Sequence, residues 1–123
     1  MWSLQGTRVL VVEDEAMLLL SLEDMLRDLG CVVAGTAARL DDAMAMARTS
    51  DFDVALLDVN INGKRVDPVA EAIRERGTPI IFVTGYGKTA ASGFVLEKPH
   101  NAADLERTLN RALASRRGAV PNC

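Results

Sequence analysis

Short apolar runs alternate with longer amphipathic stretches along this chain. Five runs are rich in β-branched and other apolar residues, and each is short enough to form one strand. These runs are residues 8–12, 31–33, 54–57, 79–83 and 94–96. Continuous apolar runs of this length are typical of strands that are covered on both faces. We therefore predict five buried strands.

The stretches between the runs carry helical periodicity, with apolar residues three and four positions apart. The first stretch ends with Leu29 and Gly30, and glycine favours helix termination. Pro68 and Gly77 mark the beginning and end of another helix, and Asn101 is a candidate N-cap of the last. The helical stretches are residues 15–30, 39–50, 67–77 and 101–118.

One interval is too short for a full helix. Thirteen residues separate Thr84 from Lys98, and the fifth strand takes about five of them. The remainder, GYGKTAAS, contains two glycines and no apolar stripe. We predict a shortened or disordered fourth helix over residues 85–92.

The alternation of strands and helices predicts parallel βαβ units with right-handed crossovers. Five such strands favour an α/β fold with a flavodoxin-like, doubly wound parallel sheet in the order 2-1-3-4-5. We assign one domain to residues 6–117 and a flexible C-terminal tail to residues 118–123. In this order the ligand crevice lies beyond the carboxyl ends of strands one and three.

Length, composition and charge fit one soluble domain. The chain has 123 residues and a formal net charge of −3, which argues against a nucleic-acid surface. No apolar stretch reaches the roughly 20 residues needed to cross a membrane, and the first residues lack a signal-peptide pattern. We expect a cytoplasmic protein with no nucleic-acid and no membrane partner. The two cysteines, Cys31 and Cys123, do not make a disulfide framework.

Acidic residues end the two strands that border the predicted crevice. Glu13 and Asp14 follow strand one, and Asp58 follows the apolar run of strand three. Acids after strand one could simply favour the N-terminus of the next helix, but that role does not account for Asp58. Like charges gathered this closely call for a cation, and hard oxygen ligands are those that Mg²⁺ takes. A magnesium site is therefore predicted.

The other strand ends add a hydroxyl and an ammonium group. Thr84 ends strand four, Gly85 follows it, and Lys98 follows strand five. Each residue alone has an ordinary explanation, since threonine favours strands and lysine is usually solvated. Together with a metal and a carboxylate nucleophile, they suit phosphoryl transfer onto Asp58.

Four segments carry a family resemblance. VLVVEDE, ALLDVN, IIFVTGYG and EKP occur in this order and at strand ends. The set is similar to the CheY-like receiver domain of bacterial two-component response regulators, over nearly all of the predicted domain. FVTGYG and the short fourth-helix region resemble the FATGUY subclass of receivers.

This resemblance implies a role for each site residue. Asp58 would be the phosphoacceptor, which takes phosphate from a histidine kinase or a histidine phosphotransfer protein. Asp14 would bind Mg²⁺ directly with Glu13 beside it, and Asn60 would supply its backbone carbonyl to the metal.

The resemblance also indicates which residues would bind the phosphoryl group. Thr84 and Lys98 would hold the phosphoryl oxygens, and the Lys98–Pro99 peptide would be cis.

Receivers commonly carry an aromatic residue three places before the lysine, where this chain has Val95. Phe94 is one position away and would point to the other face of its strand.

The expected response to phosphate is therefore ordering of the loop at residues 85–92, with Tyr86 as its reporter. The output would be phosphate relay, a phosphate sink or phosphorylation-dependent binding of a downstream protein that the sequence does not name. We expect a single-domain response regulator that supports its own phosphorylation and dephosphorylation, and not a turnover enzyme on external substrates.

Three alternatives stay open. The chain could be a receiver excised from a hybrid kinase or a multidomain regulator, although Met1 and the short tail favour an intact small protein. It could be a phosphatase with an aspartate nucleophile, but such enzymes typically want a second acid where Asn60 stands. It could be a flavodoxin-like cofactor binder, although the acids at residues 13–15 would repel phosphate.

Overall fold

Five parallel strands form the central sheet. The computed structural model describes residues 4–85, 94–98 and 100–118, without the side chains of residues 116–118. The strands of this part of the chain are β1 (Arg8–Val12), β2 (Val32–Ala37), β3 (Val54–Asp58), β4 (Asn60–Ile61), β5 (Lys64–Arg65), β6 (Ile80–Thr84) and β7 (Phe94–Glu97). The sheet has the order β2-β1-β3-β6-β7. Since β4 and β5 form a separate hairpin, this order is the predicted 2-1-3-4-5, and the flavodoxin-like fold is confirmed.

Four helices within the described residues cover the two faces of the sheet. They are α1 (Ala16–Asp28), α2 (Leu40–Thr49), α3 (Asp67–Glu75) and α4 (Ala102–Gly118). Gly30 follows α1 with a φ of 88° and Gly77 follows α3 with a φ of 76°, as helix-terminating glycines do. The predicted fourth helix, Tyr86 and most of the predicted tail lie outside the described residues.

The three inner strands β1, β3 and β6 are buried because they carry apolar side chains on both faces. Side chains of β1, β3 and β6 on one face pack with α2 and α3, and those on the other face pack with α1 and α4. The first layer contains Leu10, Val12, Ala55, Leu57, Ile80 and Phe82, and the second contains Val9, Val11, Val54, Leu56, Ile81 and Val83. Strict alternation through these strands explains their continuous apolar sequence.

The second strand was predicted too early in the chain. It runs from Val32 to Ala37 rather than over residues 31–33, and Cys31 is a buried core residue before it. β2 lies at the edge of the sheet and includes Gly35, so its sequence lacks the continuous apolar run that marks the inner strands. Its identity as a strand comes from pairing with β1 from Arg8 to Val12.

The hairpin of β4 and β5 is the one described element that the sequence analysis missed. It follows β3 directly, pairs Asn60 with Arg65, and turns through Asn62 and Gly63. Ile61 and Val66 are fully buried and anchor it to the α2–α3 layer. Each strand of the hairpin has only two residues, which is too short to give an alternating pattern in the sequence.

A reciprocal capping arrangement begins α4. The Asp104 backbone N–H donates to Asn101 Oδ1 at 2.8 Å, and the Asn101 N–H donates to Asp104 Oδ2 at 3.2 Å. Side-chain acceptors at this position satisfy backbone donors that have no partner within the helix. The predicted N-cap is confirmed.

Replacing Asn101 with alanine should destabilise the protein by about 1 kcal/mol, because the Asp104 backbone N–H at the start of α4 then loses its side-chain acceptor. Chemical denaturation of the two proteins measures the difference. Asn101→Ser is the matched control, since serine also caps helices well. If Asn101→Ala and Asn101→Ser lost the same free energy of unfolding, a capping role for Asn101 would be contradicted.

No helix among the described residues combines the length and the apolar character that a membrane crossing requires.

Candidate functional site

Three carboxylates meet at the carboxyl edge of the sheet. β1 and β3 are adjacent and parallel, with Val12 opposite Leu57, so the residues that follow them emerge at the same edge. One oxygen from each of Glu13, Asp14 and Asp58 lies within 4.8 Å of the others. The structure thus brings together the three acids that the sequence placed on two different strands.

Glu13 is the buried member of this group, with only 1% of its surface exposed. Its Oε2 accepts the Glu15 backbone N–H at 3.2 Å, directly before the start of α1. Oε1 is buried without a hydrogen-bond partner among the described residues and lies 3.6 Å from Lys98 Nζ. Burial raises the pKa of Glu13 to about 7, and the nearby charge of Asp58 contributes. A buried oxygen in this position favours a bound cation.

Asp58 lies between a donor on each side. Its Oδ2 is 3.0 Å from Lys98 Nζ, and its Oδ1 accepts the Asn60 backbone N–H at 3.1 Å. Its side chain keeps 13% exposure, so an incoming group can reach the carboxylate. The two donors fix its orientation without covering it.

Lys98 is held in place by its own backbone. Its N–H donates to the Thr84 carbonyl at 2.8 Å, which continues the β6–β7 pairing and places the ammonium at the edge beside Asp58. Burial lowers the pKa of Lys98, but its hydrogen bond to Asp58 and the charges of Asp58 and Glu13 outweigh burial and raise it. Lys98 therefore carries its positive charge across the physiological range.

The register of the β4–β5 hairpin determines what Asn60 can offer. Ile61 and Lys64 flank the turn, and the Val66 N–H donates to the Val59 carbonyl at 2.9 Å. Hydrogen-bonded and non-hydrogen-bonded pairs alternate along an antiparallel ladder, so Asn60 belongs to a non-hydrogen-bonded pair. Its N–H turns to Asp58 instead of β5. Its carbonyl is likewise left out of the ladder and is available for a ligand.

These residues border one open cleft of about 480 Å³. Its walls are formed by Asp14, Asp58, Asn60, Thr84 and Lys98, with Glu15, Val59 and Gly85 beside them. Thr84 is buried at the end of β6. Every site residue predicted from the sequence except Glu13 lines the cleft, and the buried Glu13 has an oxygen within 4.8 Å of oxygens of Asp14 and Asp58.

One contact of the site had not been predicted. The Asn62 backbone N–H donates to Asp14 Oδ2 at 2.8 Å across the turn of the β4–β5 hairpin. The sequence did contain a signal for it, because Asn62-Gly63 is the dipeptide that most strongly favours a two-residue hairpin turn.

The donor set fits a hard divalent cation. Within the described residues the cluster offers carboxylate oxygens and the Asn60 carbonyl, and its members include neither histidine nor cysteine. Oxygen-only sites of one or two carboxylates with bound water are those that suit Mg²⁺. Oε1 of Glu13 accepts no hydrogen bond from the described residues, although Lys98 Nζ lies 3.6 Å away, so it supplies a position where further positive charge would be stabilised.

The comparison with known proteins agrees with this geometry. A family profile described as response regulator receiver domain matches residues 9–110. The chain belongs to this family. The receiver is 28% identical over 116 residues to the transcriptional regulatory protein PdtaR of Mycobacterium tuberculosis, covering 87% of this chain and 57% of that protein. It is 26% identical over 117 residues to the phyllosphere-induced regulator PhyR of Methylorubrum extorquens, covering 88% and 44%.

A solved structure of similar extent also matches. The solution structure of SdrG from Sphingomonas melonis aligns with a TM-score of 0.78 and 33% identity, over 92% of this receiver and 99% of that chain. This receiver spans about half the length of the curated relatives PdtaR and PhyR. The functions of the unmatched parts of PdtaR and PhyR are properties of those two proteins alone.

The strand that precedes Lys98 orients its side chains as the sequence indicated. Phe94 and Leu96 both pack in the α1–α4 layer of the receiver, and since strand residues alternate between faces, Val95 lies on the opposite side. The side of the strand that Val95 occupies therefore has no aromatic residue from β7. The Lys98–Pro99 peptide lies outside the described residues.

Proposed function

We propose that this receiver is a phosphoacceptor in a two-component phosphorelay and that Asp58 carries the phosphoryl group. The observation that supports the proposal most directly is the setting of Asp58. Its carboxylate opens on the cleft, is held by Lys98 at 3.0 Å and the Asn60 N–H at 3.1 Å, and lies beside two further acids.

The transfer step follows from these positions. A carboxylate oxygen of Asp58 attacks phosphorus as the bond to the donor breaks, and the electron pair of that bond leaves with the donor nitrogen or oxygen. An acyl phosphate forms, and the donor leaves as imidazole or as acetate. Lys98 and Thr84 lie where they can bind phosphoryl oxygens, so positioning and charge neutralisation supply the catalysis.

Mg²⁺ is the cofactor that we propose for this step. Asp14 and Asp58 would ligate it through carboxylate oxygens and Asn60 through its carbonyl, with Glu13 beside it. The ion would neutralise negative charge that otherwise opposes the approach of a phosphoryl group to three carboxylates. The cluster of oxygens within 4.8 Å supports this assignment, and so does Glu13 Oε1, which accepts no hydrogen bond from the described residues.

The proposed partners are a histidine kinase or a histidine phosphotransfer protein as phosphate donor, and a downstream protein that binds according to phosphorylation. We propose that the receiver acts as a cytoplasmic single-domain response regulator, by relaying phosphate, by acting as its sink or by binding. SdrG, whose chain is matched over 99% of its length, supports a receiver of this extent. A receiver within a longer regulator is the alternative that PdtaR and PhyR support.

The test uses the full chain with acetyl phosphate and Mg²⁺. Intact-mass measurement should show the addition of one phosphoryl group, and chelation of the metal with EDTA should prevent it. No phosphorylated species in the presence of Mg²⁺ would overturn the proposal.

The same protein should not turn over an aryl phosphate such as p-nitrophenyl phosphate. We propose that the receiver supports only its own phosphorylation and dephosphorylation, because Asn60 stands where an aspartate-nucleophile phosphatase would need a second acid for proton transfer. Sustained product release over many equivalents of protein would favour the phosphatase instead.

A further inference from the structure

The turn of the β4–β5 hairpin joins three strand ends at the site. The Asn62 backbone N–H reaches Asp14 beyond the end of β1 at 2.8 Å. Its side-chain Nδ2 donates to the Ala38 carbonyl, beyond the end of β2, at 3.2 Å. The hairpin itself continues from β3, which carries Asp58. Asn62 therefore links the hairpin that follows β3 to the ends of β1 and β2.

The direction of the Asn62 N–H depends on an unusual backbone conformation. Asn62 has a φ of 54° and Gly63 a φ of 80°, the pair of left-handed residues that a tight two-residue hairpin turn of this kind requires. Asparagine and glycine accept this region readily, whereas β-branched residues are strongly disfavoured there. The identity of residue 62 thus controls whether its N–H points at Asp14.

We infer that Asn62 is a positioning residue for the acidic site, which orients the Asp14 carboxylate for a cation through its backbone N–H. One Asp14 oxygen is engaged by this donor, which leaves the other available to the ion. The N–H also places partial positive charge beside three clustered carboxylates. The inference rests on the proposed Mg²⁺ site and extends it to a residue outside the ligand set.

Groups that orient metal ligands have measurable effects on affinity. Removing such a partner typically weakens metal binding about 10- to 100-fold. Because a backbone donor is displaced here rather than deleted, we expect the lower end of that range. Replacing Asn62 with valine, which disfavours the left-handed turn, should raise the Mg²⁺ dissociation constant about tenfold.

Two matched variants distinguish the loss of the left-handed turn at residue 62 from the loss of its side chain and from backbone strain elsewhere in the protein. Asn62→Gly keeps the left-handed turn and loses only the side-chain bond to Ala38, so its affinity should stay close to that of the parent. Gly77→Ala introduces a side chain at another left-handed position, with a φ of 76° and open space around the added Cβ. Gly77 precedes β6 at the opposite edge of the sheet, so Mg²⁺ affinity should not change.

Isothermal titration with MgCl₂ on the full-length parent and the three variants measures these affinities. Equal affinity of the parent and Asn62→Val would overturn the inference, and so would a loss in Gly77→Ala as large as that in Asn62→Val. A parent that binds no Mg²⁺ would overturn the proposed function and the inference with it.

A second measurement needs no metal. Hydrogen exchange of the residue 62 amide, followed by NMR in the metal-free parent, should be slow and should become faster in Asp14→Ala, which removes the acceptor. Unchanged exchange in Asp14→Ala would overturn the inference even where the parent binds Mg²⁺ normally. This comparison also decides the matter if Asn62→Val does not fold.

Discussion

Replacing Asp58 with asparagine should abolish phosphorylation of the receiver by acetyl phosphate and Mg²⁺. The amide is nearly the same size as the carboxylate, but its nitrogen and neutral oxygen cannot form the acyl phosphate. Lys98 and the Asn60 N–H donate to different oxygens of Asp58, so the single amide oxygen can keep one of these two hydrogen bonds, and the fold should survive. Intact-mass measurement after incubation with the phosphodonor gives the result directly.

An exposed acid provides the matched control for this substitution. Asp28 ends α1 and is exposed, so Asp28→Asn removes the same charge away from the cleft and should be phosphorylated as the parent is. Phosphate on the Asp58→Asn protein at the level of the parent would place the acceptor elsewhere. Loss of phosphorylation in both variants would point to net charge rather than to a particular nucleophile.

Replacing Glu13 with glutamine should stabilise the metal-free receiver by about 3 kcal/mol at about pH 8, where ionisation of the buried carboxylate destabilises the folded state. Burial raises the pKa of Glu13 from 4.5 to about 7. Between these values the folded protein holds a proton that the unfolded chain has released, so stability falls as the pH rises through this window. The destabilisation that comes from ionising Glu13 is absent below about pH 4.5 and fully present above about pH 7. Glutamine carries no charge and should remove this part of the pH dependence.

Chemical unfolding at about pH 5 and about pH 8, without metal and with Mg²⁺, tests this prediction. The gain in Glu13→Gln should appear mainly at the higher pH, and Mg²⁺ should stabilise the parent more than the variant, because a bound ion compensates the carboxylate. Glu106 on the exposed side of α4 provides the control, since Glu106→Gln should be close to neutral at both values. If the free energy of unfolding of Glu13→Gln depended on pH as that of the parent does, the raised pKa of Glu13 would be contradicted.

The inner strands were predictable because a strand that is buried on both faces has a continuous apolar sequence, which can be recognised without knowing its neighbours in the sheet. β1, β3 and β6 carry apolar side chains on alternate faces that meet different helix layers, so their runs are continuous. β2 was misplaced because an edge strand with a glycine is specified by its pairing with β1 rather than by its own composition. The β4–β5 hairpin was missed because strands of two residues show no period, although Asn62-Gly63 indicated a turn.

The chemistry of the site was predictable in its residues, because parallel strands present their carboxyl ends at one edge. Once strand order was inferred, Glu13, Asp14 and Asp58 had to be close. The state of each carboxylate could not be inferred in this way. Only packing shows that Glu13 is buried, with one oxygen that accepts no hydrogen bond from the described residues, while Asp58 stays partly exposed.

By itself, the sequence determined the order of strands and helices, the positions of the acids, the threonine and the lysine at strand ends, and the family to which they point. These are properties of local pattern and of one topological rule for parallel sheets. The tertiary structure alone decided the contact between Asn62 and Asp14, two residues 48 positions apart. The reason is that the fold determines where the Asn62 backbone N–H points. The residue type at position 62 limits the backbone conformation, but it does not specify which acceptor the N–H will meet.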